Sequence, residues 1–505
     1  MSNAKRKQRV KESSEEARQR ALERENERLR KQIEDLVKKL FERDKQITHL
    51  ERQLGLRLQN STTSSKPPSS DGLAGAQRPR CSSRRKKSGR KPGGQPGHAG
   101  HCRGLAPPER VNEVAALYPA QCRHCDKAFS ERDRTRGEQG KPLRHQVTEL
   151  PKIEAHITEY QCHKLQCTKC GEVTQAALPE EVKGNFGPDL AALIVYMTVT
   201  CRMPRRVMRE ALEQVLGIPL SLGSAQKVWE EASEAVAEPY EELARQLPRE
   251  AVLNSDETGY RTSGEKRWLW AFVASSFVFY QVAATRGAEV LVALLGKVFA
   301  GILCSDRLAT YTKYHQGAAQ FCWAHFKRNI LGVQDIAKST DAERFCRDAL
   351  ALHARLFRLW HRFRAGPAAR FPIAGRQDLI LKSIPLQKKF FALGQRYLDS
   401  KDKDVRNLAM ALFVHCGKFF TFLEKEGVEP TNNSAERALR CAVQWRKSSF
   451  GSRSETGEVA MSRLLTVTRT CRLRNIDSLA YLAAAIRARR NAQPVQSLLA
   501  GSATP

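Results

Sequence analysis

The sequence has no long apolar run. Its longest extends only from Leu190 to Cys201, well short of the roughly 20 residues that a membrane-spanning helix needs. No secretory leader is expected from the charged start MSNAKRKQRV. These absences exclude helical membrane insertion and predict a cytoplasmic protein with no membrane partner. The 14 cysteines are then expected mostly as reduced thiols or metal ligands. Acidic residues are scarce as well: 54 Asp plus Glu face 85 Lys plus Arg, leaving a formal charge of +31. An excess of that size favours a polyanionic partner, nucleic acid first. A generally basic surface is the alternative, but the charge is concentrated in particular stretches. At 505 residues the chain has room for several domains and a large core.

Heptads run through residues 15–59. Leu22, Leu29, Leu36 and Leu50 occupy one position, with Arg43 interrupting, and Asn26, Ile33, Leu40, Ile47 and Leu54 occupy the other. This is the seam of a coiled coil, a leucine zipper. Ile at a with Leu at d favours two strands, and a lone Asn at a helps to fix register. One long solvated helix is the competing reading. Residues 60–108 lose the periodicity. NSTTSSKPPSSDG has linker composition, and Pro67 and Pro68 exclude a helix there. The basic arm that follows carries Arg84, Arg85, Lys86, Lys87, Arg90 and Lys91. A disordered arm of this kind can lie along phosphates and supply affinity without much sequence information.

Residues 109–182 hold two C-x-x-C knuckles, Cys122 with Cys125 and Cys167 with Cys170. Paired spacing of this type reads as a structural zinc site, with Cys162, His124 and His163 as substitute ligands. The stretch HQVTELPKIEAHITEYQCHKLQC between them alternates and is expected to supply a hairpin. Residues 188–240 are helical by pattern. A break at Gly217 and Pro219 and a restart near Ser221 or Ser224 resemble a helix-turn-helix, although most such pairs merely pack.

The remaining chain carries the chemistry. AVLNSDETGY and GILCSDRLATY each read as a buried strand that stops at a carboxylate, Asp256 and Asp306. KRWLWAFVASSFVFYQVAA adds two apolar strands, so residues 250–455 form an α/β layer. That layer is interrupted at about 335–425 by an all-helical insertion. PTNNSAERALR opens a helix with a third acid, Glu436, and further helices close the chain at 456–492. Three carboxylates on two strands and a helix can hold a pair of divalent cations, an arrangement that suits phosphoryl transfer on nucleic acid. Each acid alone has a structural alternative: Asp256 or Asp306 capping a loop, or Glu436 closing a capping box with Asn433. Cys322 and His325 of CWAH are expected to pack or hydrogen-bond near the site. Trp268, Trp270 and Trp323 are expected in the core.

The layout resembles the insertion-sequence-66 family of bacterial transposases. The resemblance rests on SKPPSSD at 65–71, GRKPGGQPGH at 89–98, the paired knuckles, SDETGYRT at 255–262, CWAH at 322–325, NNSAERALR at 432–440 and TCRLRNIDSLAYL at 470–482. It implies a multidomain α/β protein: a zipper, a zinc-binding segment, and a ribonuclease-H-like catalytic domain of the Asp-Asp-Glu type. By that resemblance Asp256, Asp306 and Glu436 are the catalytic carboxylates, binding Mg²⁺ or Mn²⁺. The family often has Leu where this chain has Ser434, and Cys162 has no counterpart among the family's zinc ligands. The implied activity is cleavage at transposon ends and strand transfer into target DNA. The protein would work as a homodimer or higher oligomer at the nucleoid, in some relatives with element-encoded accessory proteins. A nuclease without strand transfer and a non-catalytic zinc-containing DNA-binding protein are the competing functions.

Overall fold

The computed structural model describes residues 3–58, 97–98, 104–137, 140–151, 153–182, 184–336, 339–449 and 451–499. The six cations of the basic arm, Arg84, Arg85, Lys86, Lys87, Arg90 and Lys91, lie outside the described residues. The chain divides into two compact units. Residues 1–78, 160–211 and 219–505 form the larger, and residues 79–159 with 212–218 the smaller. Among the described residues, no helix is long and apolar enough to cross a membrane.

A single helix, α1 (Asn3–Leu58), carries the heptads. Leu22, Leu29, Ile33, Leu36, Leu40, Ile47, Leu50 and Leu54 are each between 48% and 64% exposed along it. In the smaller unit, helix α2 (Glu131–Gly137) starts from a capping box. The Ser130 N–H donates to Asp133 Oδ2 at 2.8 Å, and Ser130 Oγ accepts from the Asp133 N–H at 3.3 Å. In the larger unit, strands β1 (Lys164–Gln166) and β2 (Val173–Gln175) pair antiparallel around the second knuckle. Of the stretch 145–167 expected to supply a hairpin, only its end, Lys164–Gln166, is a strand, and its partner β2 lies downstream of that stretch. The described residues of 145–163 form no strand; Val147, Leu150 and Ile157 are exposed there, so no buried face exists to hold a ladder.

Four helices follow: α3 (Pro188–Val199), α4 (Arg205–Leu216), α5 (Leu222–Ala235) and α6 (Ala237–Gln246). Gly217, at φ 65°, ends α4. Ser221 caps α5, its side chain accepting from the Ser224 N–H at 3.0 Å.

The centre of the larger unit is a five-stranded sheet of order β5-β4-β3-β6-β7. Its strands are β3 (Val252–Thr262), β4 (Glu265–Val273), β5 (Val278–Ala283), β6 (Ile302–Ser305) and β7 (Ala319–Phe321). β3, β4 and β5 form an antiparallel meander, whereas β6 and β7 run parallel to β3. Helices α7 (Ala288–Leu295) and α8 (Ala309–Tyr314) lie in the connections between β5, β6 and β7. The turn from β3 to β4 is Ser263–Gly264, both at positive φ (50° and 86°), the two-residue geometry that matches strand twist.

The reading of β3 as a strand ending at Asp256 is corrected here. β3 continues to Thr262, because β4 pairs with it from Asn254 through Thr262. This pairing outweighs the poor strand preference of Asp256 and Gly259. The second strand does stop where expected, at Ser305, one residue before Asp306.

Helices α9 (Trp323–Ile336), α10 (Thr340–Ala365), α11 (Arg376–Arg396), α12 (Lys403–Val414) and α13 (Cys416–Glu424) follow β7 and include the helical insertion. Their core joins the sheet through Trp323, fully buried among Phe326, Phe390, Phe419 and Phe420. Gln320 on β7 fixes the junction: its amide donates to the Phe419 carbonyl and accepts from the Phe422 N–H. Trp270 is also fully buried, but Trp268 is not in the core. It lies between two cations, Lys266 at 5.1 Å and Arg286 at 4.8 Å.

The last helices are α14 (Asn433–Ser449), α15 (Glu455–Leu473) and α16 (Ser478–Arg490). α15 covers the outer strand β5. Ser462, Thr466 and Thr470 accept from the N–H groups of Val282, Tyr280 and Val278 at 3.3, 2.9 and 3.1 Å. Four helical residues rise about 6 Å and two strand residues about 6.8 Å, so the column of hydroxyls keeps pace with the edge. The unpaired edge is thereby closed to other strands.

Candidate active site

The parallel register of β3 and β6 pairs Val252 with Ile302, Leu253 with Leu303 and Asn254 with Cys304. Continued for two residues, it sets Asp256 level with Asp306 on adjacent strands. Alternation along β3 then separates the neighbours of Asp256 from Asp256 itself. Ser255 and Glu257 are buried and meet Tyr311: its hydroxyl donates to Glu257 and lies 3.2 Å from Ser255 Oγ. Arg286 completes that cluster through Nε at 2.7 Å and Nη2 at 2.6 Å from Glu257 Oε1.

The third acid arrives on the first turn of α14. Just before this helix, Asn432 is 1% exposed. Its side-chain amide donates to the Ser255 carbonyl at 2.7 Å, and its own N–H donates to Cys322 Sγ at 3.2 Å. The start of α14 is thus tied both to β3 beside Asp256 and to the end of β7. Glu436 is not consumed by capping. Its Oε1 is buried without a hydrogen-bond partner. Asp306 does brace a turn, accepting from the Leu308 N–H at 2.9 Å, and Asp256 accepts from the Glu257 N–H at 3.0 Å. Neither bond uses up a carboxylate, which has about four acceptor sites.

The neighbouring acids act on Asp256. Asp256 is held well above the ordinary carboxylate range, first by burial and then by the negative charges of Glu257, Asp306 and Glu436. The residue is half-buried. A divalent cation beside Asp256 would favour its ionised form, which burial and the neighbouring carboxylates disfavour.

Cys322 and His325, expected to pack or hydrogen-bond near the site, stand beside Glu436. A ring nitrogen of His325, Cys322 Sγ and a Glu436 carboxylate oxygen lie within 4.8 Å of one another. His325 Nδ1 is 3.4 Å from Glu436 Oε1, and Arg328 Nη2 is 3.9 Å from the same oxygen. Burial holds His325 below its ordinary pKa, against the pull of Glu436. Asn432 and Glu257 were missed altogether. The paired NN before Ser434 and the paired DE at 256–257 were the only signals for them.

The knuckles share one geometry, each within its own unit. In the first, the Cys122 N–H donates to the Lys127 carbonyl and the Asp126 N–H to the Cys122 carbonyl. In the second, the Cys167 N–H donates to Glu172 and the Gly171 N–H to Cys167. Asp126 and Gly171, at equivalent places, have positive φ (54° and 76°). The Cys122 thiol is drawn below its ordinary value by the N–H groups of His124 and Cys125, and that of Cys167 by those of Cys170 and Lys169. Amides aimed at sulfur stabilise thiolate, the metal-binding form.

Comparison with known proteins places these features in context. Residues 183–460 match the family described as "Transposase IS66 family". Residues 7–104 match a family of unknown function, DUF6444. Two proteins of Sinorhizobium fredii (strain NBRC 101917 / NGR234) are similar. "Uncharacterized protein y4hP" is 24% identical over 377 residues, covering 68% of this chain and 67% of that protein. "Uncharacterized protein y4qI" is 27% identical over 239 residues, covering 43% and 42%.

Proposed function

Since the chain belongs to the IS66 transposase family, matched over residues 183–460, we propose that it cuts DNA at transposon ends and joins them to target DNA through Asp256, Asp306 and Glu436. The observation that carries this reading is the β3–β6 register that levels Asp256 with Asp306, together with the charge of Glu436 acting on Asp256. The sheet order, an antiparallel meander flanked by two parallel strands, supports a ribonuclease-H-like catalytic domain.

The three acids fit a pair of hard cations, Mg²⁺ or Mn²⁺: all donors are oxygens, Glu436 Oε1 is orphaned, and the neighbouring carboxylates disfavour the ionised form of Asp256 without a counter-charge. Such ions, when bound, generate a nucleophile from water or a 3′-hydroxyl and stabilise the leaving oxygen. The protein's own contribution is placement. β3 and β6 hold two carboxylates on rigid strands, and Asn432 fixes the helix that carries the third. Arg328 limits the negative charge around Glu436.

The remaining regions serve DNA handling in this reading. The knuckle thiols of Cys122, Cys125, Cys167 and Cys170 bind structural zinc. The exposed seam of α1 pairs two copies, and with them two DNA ends. The arm at Arg84–Lys91 contacts phosphates in the cytoplasm, at the nucleoid. Accessory proteins of the same element are further partners in this reading. Incubation with the DNA that flanks the gene tests the function. Magnesium-dependent nicking at the element's ends, followed by joining to a second DNA, is expected. Nicking without joining would leave a nuclease, and binding without nicking would leave a DNA-binding protein.

A further inference from the structure

Glu436 has two chemically different sets of neighbours. Asp256 and Asp306 form an oxygen set. Cys322 and His325 offer a thiol and an imidazole within 4.8 Å of Glu436 and of each other. The second set follows from local structure. Cys322 sits immediately after β7, and the Phe326 N–H donates to its carbonyl, so the first turn of α9 begins there. C-x-x-H spacing then brings Cys322 and His325 to the same side of that turn.

Two atoms in the group are unsatisfied. His325 Nδ1 and Glu436 Oε1 are both buried without a hydrogen-bond partner. They are 3.4 Å apart, an ion-pair distance but not a hydrogen bond. Buried polar atoms left in this way usually mark a missing partner. A tetrahedral ion with bonds of about 2.0–2.3 Å keeps its donors roughly 3.5 Å apart. The His325–Glu436 separation already has that value, and Cys322 Sγ has to move by little more than an ångström at most.

We propose that Cys322, His325 and Glu436 form a site for a thiophilic divalent cation of the zinc type, with its fourth position open to water. Thiolate and imidazole select zinc or cobalt over magnesium, which takes oxygen ligands. Binding releases the thiol proton to solvent. Filling the site engages the carboxylate that the magnesium chemistry requires, so zinc acts as an off-switch. That consequence, unlike the site itself, rests on the transposase mechanism above.

Cobalt(II) titration of the full-length protein, followed by its thiolate–cobalt absorption, tests the site. The wild type is expected to bind one more equivalent than Cys322→Ser, with loss of the corresponding share of the band. His325→Gln should lose the same equivalent and serves if the first variant does not fold. An equal stoichiometry in wild type and the folded variant would overturn the proposal, whatever the knuckles bind. A second arm measures magnesium-dependent cleavage with added zinc, which should inhibit the wild type and spare the variant. If no cleavage is seen under any condition, the function fails while the cobalt result still decides the site.

Discussion

The side-chain amide of Asn432 donates to the main-chain carbonyl of Ser255 at 2.7 Å, one residue before Asp256 and four residues before Glu436. This bond couples the strand that carries one acid to the helix that carries another. Neither residue is an acid, so the coupling is testable without changing the charge of the site.

Asn432→Ala is therefore expected to slow cleavage by roughly 10²-fold, because a misplacement of about an ångström can cost that much. Orphaning the Ser255 carbonyl should also destabilise the fold by about 1–3 kcal/mol. DNA affinity should be retained. Single-turnover cleavage measured beside thermal unfolding checks this, and an unchanged cleavage rate would show that α14 is held in place by other contacts.

The exposed seam of α1 predicts dimerisation. Leu36→Gln with Leu40→Gln should weaken dimers by at least about 100-fold, since burying each leucine is worth about 1.5–3 kcal/mol. Sedimentation equilibrium reads the change. An unaltered association would assign the dimer to another surface.

Much of this architecture was legible in the sequence because it depends on local pattern. Apolar runs locate four of the five strands of the central sheet, Ser221 and Gly217 punctuate α4 and α5, and the heptads give α1. The relations across the site were not legible. Hydrophobic period reports which face of an element is buried, not what it meets. Nothing near Asn432 announces Ser255, and nothing in CWAH announces Glu436. β3 was read too short because Asp256 and Gly259 look like a strand end, and only the ladder with β4, distant from local propensity, carries the strand to Thr262. The column Ser462, Thr466 and Thr470 was visible as letters, but its meaning depends on an edge strand nearly two hundred residues earlier.

The knuckles predict one equivalent of structural zinc per chain, held at about 2.3 Å from sulfur. Cys125→Ser or Cys170→Ser should remove it. Chelation should loosen the knuckle segments and leave the sheet intact, as local hydrogen exchange would show. Zinc content that these substitutions leave unchanged, rather than lower by one equivalent, would contradict the assignment.

His353 predicts a pH dependence of stability. It lies in α10, stacked on Phe357 at 4.3 Å and edge-on to Trp323 at 5.9 Å. Burial, with the Lys327 charge, lowers its pKa from 6.5 to about 4. The unfolded chain therefore takes up this proton first. The contribution of His353 is fully present above pH 6.5 and is lost as pH falls toward 4, by up to about 1.4 kcal/mol per pH unit. His353→Leu should flatten that part of the stability curve in denaturant titrations. A variant with the wild-type slope would rule out this origin.

The central claim is that Asp256, Asp306 and Glu436 form one cation-dependent catalytic site. The most direct test is the rate of magnesium-dependent cleavage by Asp256→Asn, Asp306→Asn and Glu436→Gln, with DNA affinity measured on the same samples. Each variant should bind DNA nearly as the wild type does and cleave at least about 10³-fold more slowly, the equivalent of roughly 4 kcal/mol of transition-state stabilisation. Cleavage at the wild-type rate by any one of the three would contradict the account.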